Sequence, residues 1–279
     1  MKKILIPTDF SENARNAVRY ALTYYAGVPV QFYLLHASVE AGDLNRAEAY
    51  DSYGNIMEPV PLNGTSEKLY REIRFCRSLV SHSKHVFQGI NEPSMLIEAV
   101  RRTVLEKEID LIVMATRGSS ESNGRIIGSN TGDVITKVKC PILVIPALAS
   151  CNGVNNVALV TDHNSLYKNR VLCTLSEAVR LHPATLRILH IKTIQVQPTL
   201  GQVDNKRFLQ DYVREKKHSF HFLNNKKMEL GIQAFVELWE VDLIAMLAKN
   251  INLFQRLFFK PSLKSLAYHK RIPFLILHE

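Results

Sequence analysis

Three short runs of the chain carry residue types suited to holding an anion. Pro7-Thr8-Asp9 places a hydroxyl and a carboxylate at the end of one apolar run, and His36-Ala37 ends another. The third is longer: Met114-Ala115-Thr116-Arg117-Gly118, nine residues Ser119 to Ile127, then Gly128-Ser129-Asn130-Thr131 at the start of a helical pattern. Glycines let backbone approach a ligand closely, and the free N–H groups of a helix start, at the positive end of its dipole, suit a phosphate. Ser129, Asn130 and Thr131 add side-chain donors there. A structural reading stands beside this one, in which Gly118 turns the chain and Gly128-Ser129 caps a helix, and spacing alone leaves both open. Catalytic chemistry is less well supplied. No Ser/His/Asp, Cys/His or paired-carboxylate arrangement is identifiable, and the lysine of a Walker loop is missing from the glycine run.

The elements that must position these runs alternate between apolar stretches and amphipathic ones. Ile4 to Pro7, Gln31 to His36, Val86 to Ile90, Leu111 to Ala115 and Ile142 to Ile145 read as strands. Ser11 to Tyr25 sets Ala14, Ala17, Val18, Ala21 and Leu22 on one helical face behind a Ser11 cap; further helices are expected over Pro93 to Lys107 and Thr131 to Lys137. Strands apolar along their length and joined by helices imply a parallel sheet covered on both faces. In such open sheets ligands sit beyond the carboxyl ends of the strands, where the three runs converge.

The pattern occurs twice. Glu108-Ile-Asp-Leu-Ile-Val-Met114 returns as Glu240-Val-Asp-Leu-Ile-Ala-Met246, and Cys140-Pro-Ile-Leu-Val-Ile145 as Ile272-Pro-Phe-Leu-Ile-Leu277, both at an offset of 132. Near the starts, Ile4-Leu-Ile-Pro-Thr-Asp9 answers to Val157-Ala-Leu-Val-Thr-Asp162 at 153, and His36 to His190 at 154. The equivalent strand-end histidines suggest an architectural repeat rather than a metal site. The second copy is shorter by about 21 residues where the first has Ser38 to Ser66, a polar stretch that reads as a long loop or partly helical lid. The expected fold is α/β: two tandem open-sheet domains, 1–150 and 151–279, each a mainly parallel five-stranded sheet with helices on both faces.

Composition fits this reading. With 46% hydrophobic and 22% charged residues, 12 Gly and 11 Pro in 279, disorder, collagen and disulfide scaffolds are excluded. No apolar run is long enough to span a bilayer, and the first residues meet an acid too early for a signal peptide, so a cytoplasmic location is expected. Cys76, Cys140, Cys151 and Cys173 are far apart and read as reduced, mostly buried thiols. Residues 1–150 hold 17 Lys+Arg against 16 Asp+Glu and residues 151–279 hold 18 against 10, so the net +9 divides as +1 and +8. The basic half could attract an acidic protein partner. Without an aromatic and glycine pattern beside Lys216-Lys217 and Lys226-Lys227, a solvated surface is preferred there to nucleic-acid binding.

The chain resembles the universal stress protein family in its tandem form. The nucleotide-binding variety carries G-x-x-G, nine residues, then G-S or G-T after an apolar strand; here the run is Ala115-x-x-Gly118, nine residues, Gly128-Ser129. Lys3-Ile-Leu-Ile-Pro-Thr-Asp-Phe-Ser11, Asp110-Leu-Ile-Val-Met114 and Cys140-Pro-Ile-Leu-Val-Ile145 extend the likeness over nearly all of residues 1–147. The resemblance implies a nucleotide-binding stress or signalling protein that is not an enzyme beyond, at most, slow ATP hydrolysis. ATP, with or without magnesium, would be the ligand, and domains would pair within one chain or between two. Carried over by position, Pro7, Thr8, Asp9 and Ala37 would border adenine and ribose. Met114, Ala115 and Gly118 would lie beside sugar and phosphates, and Gly128, Ser129 and Asn130 would hold the phosphate chain. Ala115 replaces the first family glycine. Arg117, where the family often has His, either pairs with phosphate or faces solvent.

In the second copy, Ala115, Gly118, Gly128 and Ser129 become Leu247, Asn250, Lys260 and Pro261, which implies that the site is lost. Asp162 reads as a turn residue, and the run Leu253 to Phe259 as filler of the vacant crevice. The alternative to nucleotide binding is a scaffold with neither crevice occupied, whose basic second half contacts an acidic partner.

Overall fold

A single sheet runs through the molecule in the order β3-β2-β1-β4-β5-β10-β9-β6-β7-β8 in the computed structural model. The structure describes residues 1–38, 64–80, 84–116, 128–192, 197–224, 228–249 and 271–278. Among these, the first five strands are β1 (Lys2–Pro7), β2 (Val30–Ala37), β3 (His85–Glu92), β4 (Leu111–Ala115) and β5 (Ile142–Ile145). The other five are β6 (Asn156–Thr161), β7 (Thr185–Lys192), β8 (His218–Asn224), β9 (Leu243–Leu247) and β10 (Phe274–Leu277). Each set of five is parallel within itself. The join is antiparallel: Phe274, Leu275 and Ile276 of β10 face Val144, Leu143 and Ile142 of β5. The expected five-stranded parallel sheets are thus present as halves of one ten-stranded sheet, and the pairing of last strands is made inside one chain.

Helices α1 (Glu12–Tyr24), α2 (Gly64–Ser78), α3 (Leu96–Glu106) and α4 (Ser129–Lys137) accompany the first strands, and α5 (Asn169–Leu181), α6 (Leu200–Val213) and α7 (Met228–Leu238) the second. Ser11 caps α1 by accepting from the Ala14 amide at 3.2 Å, a bond worth ~1 kcal/mol at such a position. Two apolar cores result, one on each face. Ile4, Ile6, Val18, Phe32, Leu143, Leu159 and Leu275 belong to one, and Leu5, Ile112, Val144, Ile244 and Ile276 to the other. Each therefore draws on both halves of the chain.

Two local expectations need correction. Helix α3 starts at Leu96 behind a Met95 cap rather than at Pro93, because the Ser94 amide turns back to the Glu92 carbonyl at 2.9 Å. Helix α2 was not anticipated, since one of its inward positions is a carboxylate, Glu72, which breaks the apolar periodicity. Its partner lies on α1: Arg15 donates to Glu72 through Nε at 2.9 Å and through a terminal nitrogen at 2.5 Å. Of the expected loop or lid, Ser38 to Ser66, residues 39–63 lie outside the described residues and 64–66 open α2.

Candidate functional site

In the first half the strand order 3-2-1-4-5 reverses direction between β1 and β4, and the carboxyl ends of strands on either side of such a reversal leave a crevice. Pro7 ends β1, Ala37 ends β2 two residues beyond the Pro7–Leu35 pair, and Met114-Ala115 ends β4. Pro7, Thr8 and Met114 are buried, Ala37 and Ala115 half-buried, and Asp9, Ser129 and Asn130 exposed. Six of the eleven singled-out positions, Pro7, Thr8, Asp9, Ala37, Met114 and Ala115, therefore lie at the ends of three neighbouring strands. Gly128, Ser129 and Asn130 open α4. Arg117 and Gly118 lie outside the described residues.

The loop after β1 is held by its own polar groups. The Phe10 amide donates to Thr8 Oγ1 and the Ser11 amide to Asp9 Oδ1, each at 3.0 Å, while Phe10 takes the left-handed φ of 63°. His36 Nδ1 donates to the Thr8 carbonyl at 2.9 Å and its ring stacks on Phe10, centroids 4.5 Å apart. That imidazole is committed to fixing the loop.

The start of α4 is anchored to the end of β4. The Gly128 amide donates to the Thr116 carbonyl at 2.6 Å, and Thr131 Oγ1 donates to the Ala115 carbonyl at 2.8 Å. Thr131 is thus a structural tie and not the ligand donor its position suggested, and Gly128 spends its N–H on the protein. The first-turn amides of Ser129, Asn130 and Thr131 belong to the group that a helix leaves without intrahelical acceptors. They rise beside the end of β4, to which Gly128 and Thr131 tie them. Gly128 has φ −64° and ψ 159°, a conformation open to any residue. Backbone angle does not require a glycine there.

The second half repeats this loop and changes its content. The His163 amide donates to Thr161 Oγ1 and the Asn164 amide to Asp162 Oδ1, both at 3.0 Å, and His163 has φ 58°. Asp162 is a turn residue, as its setting suggested. His190 Nδ1 donates to the Thr161 carbonyl at 3.1 Å and stacks on His163, centroids 5.2 Å apart, so both strand-end histidines do one architectural job. Here α6 closes down on the loop: Gln202 Nε2 donates to the Asp162 carbonyl and Asn205 Nδ2 to the His163 carbonyl, each at 2.9 Å. His163 is buried with Nε2 unpartnered, and burial, reinforced by His190 and Lys206, lowers its pKa to about 4. Leu247, the counterpart of Ala115, ends β9 fully buried. Asn250, Lys260, Pro261 and the run 253–259 lie outside the described residues.

Among residues that sequence reasoning passed over, Phe10 and His163 are the most telling. The 153-residue offset pairs them, which was the available signal, but their left-handed backbone and their stacking on a histidine are not visible in a string of letters. The cysteines are free; Cys76 and Cys140 are buried, which pushes their thiols up to about 12, whereas Cys173 is exposed. No helix among the described residues is long and apolar enough to cross a membrane.

Comparison with known proteins agrees with this architecture. The model of the universal stress protein family matches residues 1–146, more than half of the chain. A universal stress protein of Methanocaldococcus jannaschii is 24% identical over 158 residues, which cover 52% of this chain and 94% of that one. The crystal structure of a universal stress protein from Archaeoglobus fulgidus superposes with a TM-score of 0.66 at 16% identity, covering 99% of this chain and 96% of its own. A putative universal stress protein from Pseudomonas aeruginosa gives 0.58 at 11%, over 99% and 93%. The last two likenesses speak to the fold, along the whole chain. Joined to the family match over the half that carries the crevice, they lead to one conclusion: the chain belongs to the universal stress protein family.

Proposed function

We propose that the protein is a nucleotide-binding stress or signalling protein that holds one ATP, with or without magnesium, in the half formed by residues 1–150. The half formed by residues 151–279 serves as a non-binding companion. One observation carries the reading: the loop Thr8-Asp9 follows β1 and the first turn of α4 is tied to the end of β4, the two strands that border the reversal point of the first half, and β4 ends on the small residue Ala115. Pro7, Thr8, Asp9 and Ala37 would border adenine and ribose, and Met114, Ala115 and Gly118 the sugar and phosphates. The amides and side chains of Ser129 and Asn130, beside Gly128, would meet the phosphate chain. Magnesium would be carried largely by the phosphates, since it needs few protein ligands. In the second half, Leu247 stands in place of Ala115, and α6 is bonded to the corresponding loop.

Calorimetric titration of the nucleotide-free protein with MgATP tests this. One site per chain is expected, and Gly128→Glu should abolish it by setting a carboxylate where phosphate would lie. The backbone at Gly128 accepts glutamate, and an acid at a helix start is itself favourable, so the variant should keep its fold. Absence of heat with the unaltered protein would reject the reading in favour of a scaffold with both crevices unused. Binding that survives Gly128→Glu would place the nucleotide elsewhere.

A further inference from the structure

Helix α2 presents two unlike faces. Leu69, Glu72 and Cys76 are buried toward the sheet, with Ile73 half-buried beside them. On the outer side Arg71, Arg74 and Arg77, all exposed, follow at three-residue spacing, a rise of ~4.5 Å along the axis from each to the next. With Phe75 and Ser78 they line an open cleft of about 570 Å³. Its aromatic floor is held from α1, where the guanidinium groups of Arg15 and Arg19 lie 5.5 and 5.2 Å from the Phe75 ring centroid. Among the described residues, the nearby carboxylates are already engaged: Glu72 with Arg15, Glu67 with Arg71 and Glu12 with Arg19. Arg74 and Arg77 form no ion pair among the described residues.

The feature belongs to one half and not to the fold. Aligning α2 with α6 on the buried residues Cys76 and Leu209 sets Asp204, Arg207, Gln210 and Asp211 at the places of Arg71, Arg74, Arg77 and Ser78. The half with a net charge of +1 thus carries the arginine row, while the half with +8 carries two acids there.

We propose that this face of α2 is a docking surface for an acidic protein segment that also bears an apolar side chain. Carboxylates of the segment pair with Arg74 and Arg77, and its apolar group covers Phe75. The planar fork of a guanidinium matches a carboxylate through two parallel bonds. Nucleic acid fits this face less well, because its binding draws on an extended basic field that a half of net charge +1 does not supply. The inference is independent of nucleotide binding.

The test is fluorescence anisotropy of a labelled peptide repeating Glu-Glu-Leu, titrated with the full chain at low and at physiological salt. Binding is expected, weakened at least about tenfold by Arg74→Glu with Arg77→Glu. Arg207→Glu with Lys217→Glu, the same charge change in the more basic half, should leave it within about twofold. All four positions are exposed, so folding should survive, and the milder pair Arg74→Gln with Arg77→Gln should give an intermediate loss. No binding by the unaltered chain would overturn the proposal. Equal loss in both double variants would do so too, reducing the effect to net charge. A thymidine oligonucleotide of the same charge that binds more tightly and loses its affinity in Arg74→Glu with Arg77→Glu would reassign the face to nucleic acid.

Discussion

Leu143 and Leu275 face each other across the antiparallel pair of β5 and β10, and they are also counterparts of one another at the 132-residue offset. A pair made of equivalent residues lies on a local two-fold axis, so the two halves meet as the subunits of a symmetric dimer do. Other contacts at this junction are not symmetric: Lys2 pairs with Glu177 at 2.6 Å, and His182 Nε2 donates to the Tyr24 carbonyl at 2.9 Å.

Because the junction is intramolecular, its stability should not depend on protein concentration. Thermal unfolding followed over a roughly hundredfold dilution series should give a constant midpoint. Leu143→Ala, which removes a side chain only 2% exposed, should lower stability by ~2–5 kcal/mol, and Leu275→Ala by a similar amount. A midpoint that falls on dilution would mean that contacts between chains carry part of the stability.

His163 should make the fold sensitive to acid. Its pKa is about 4 in the folded chain against 6.5 when exposed, so between these values the unfolded chain binds the extra proton and stability falls as pH drops. His278 is lowered to about 4 as well, chiefly by burial, and adds to the same window. Above 6.5 neither contributes a slope. Each difference corresponds to on the order of 3 kcal/mol. His163→Phe, which copies Phe10 and its left-handed backbone, should flatten the slope between pH 6.5 and 4 and remove the unpartnered ring nitrogen. Urea titrations at a series of pH values measure both effects.

Gly89 on β3 sets how closely α2 lies against the sheet. A methyl group there would meet Leu69 Cδ2 at 2.9 Å and Ile73 Cδ1 at 3.0 Å, so Gly89→Ala should cost ~1–3 kcal/mol through overpacking. Leu69→Ala opens a cavity of its own but removes the atoms the methyl would meet, so the double variant should be less destabilised than the sum of the two single changes. A double-mutant cycle read by denaturant unfolding would show the coupling.

Glu72 is buried and depends on Arg15, whose side chain is 40% exposed. Arg15→Met should therefore destabilise by ~3 kcal/mol, by leaving a buried carboxylate unpaired, whereas Glu72→Gln should cost less, because a neutral amide is easier to bury. Equal losses in the two variants would argue that packing rather than charge fixes α2.

What the sequence made legible follows from where each signal is stored. Ile4 to Pro7 of β1 and the whole of β4 and β5 are apolar, and the Ser11 cap is local, so residue types were enough to find them. Helix α2 escaped because the partner of Glu72 is 57 residues away on another helix. The glycine run could be placed at a helix start, but the engagement of the Gly128 amide by Thr116 and of the Thr131 hydroxyl by Ala115 depends on how α4 comes to rest against β4. Spacing carries no record of such a contact. The same holds for the row of α2 arginines, which became a surface only once Arg15 and Arg19 were seen beneath Phe75.

In a dimer of identical subunits every substitution is inherited by both sides of the axis, and a change that suits one crevice is imposed on the other. Joining β5 to β10 within one polypeptide lifts that constraint while keeping the geometry of the pair. Phe10 can remain a phenyl ring while its counterpart becomes His163, and α2 can gather arginines while α6 collects aspartates. The antiparallel seam is thus what lets one molecule be symmetric in its scaffold and free to diverge, side by side, in its chemistry.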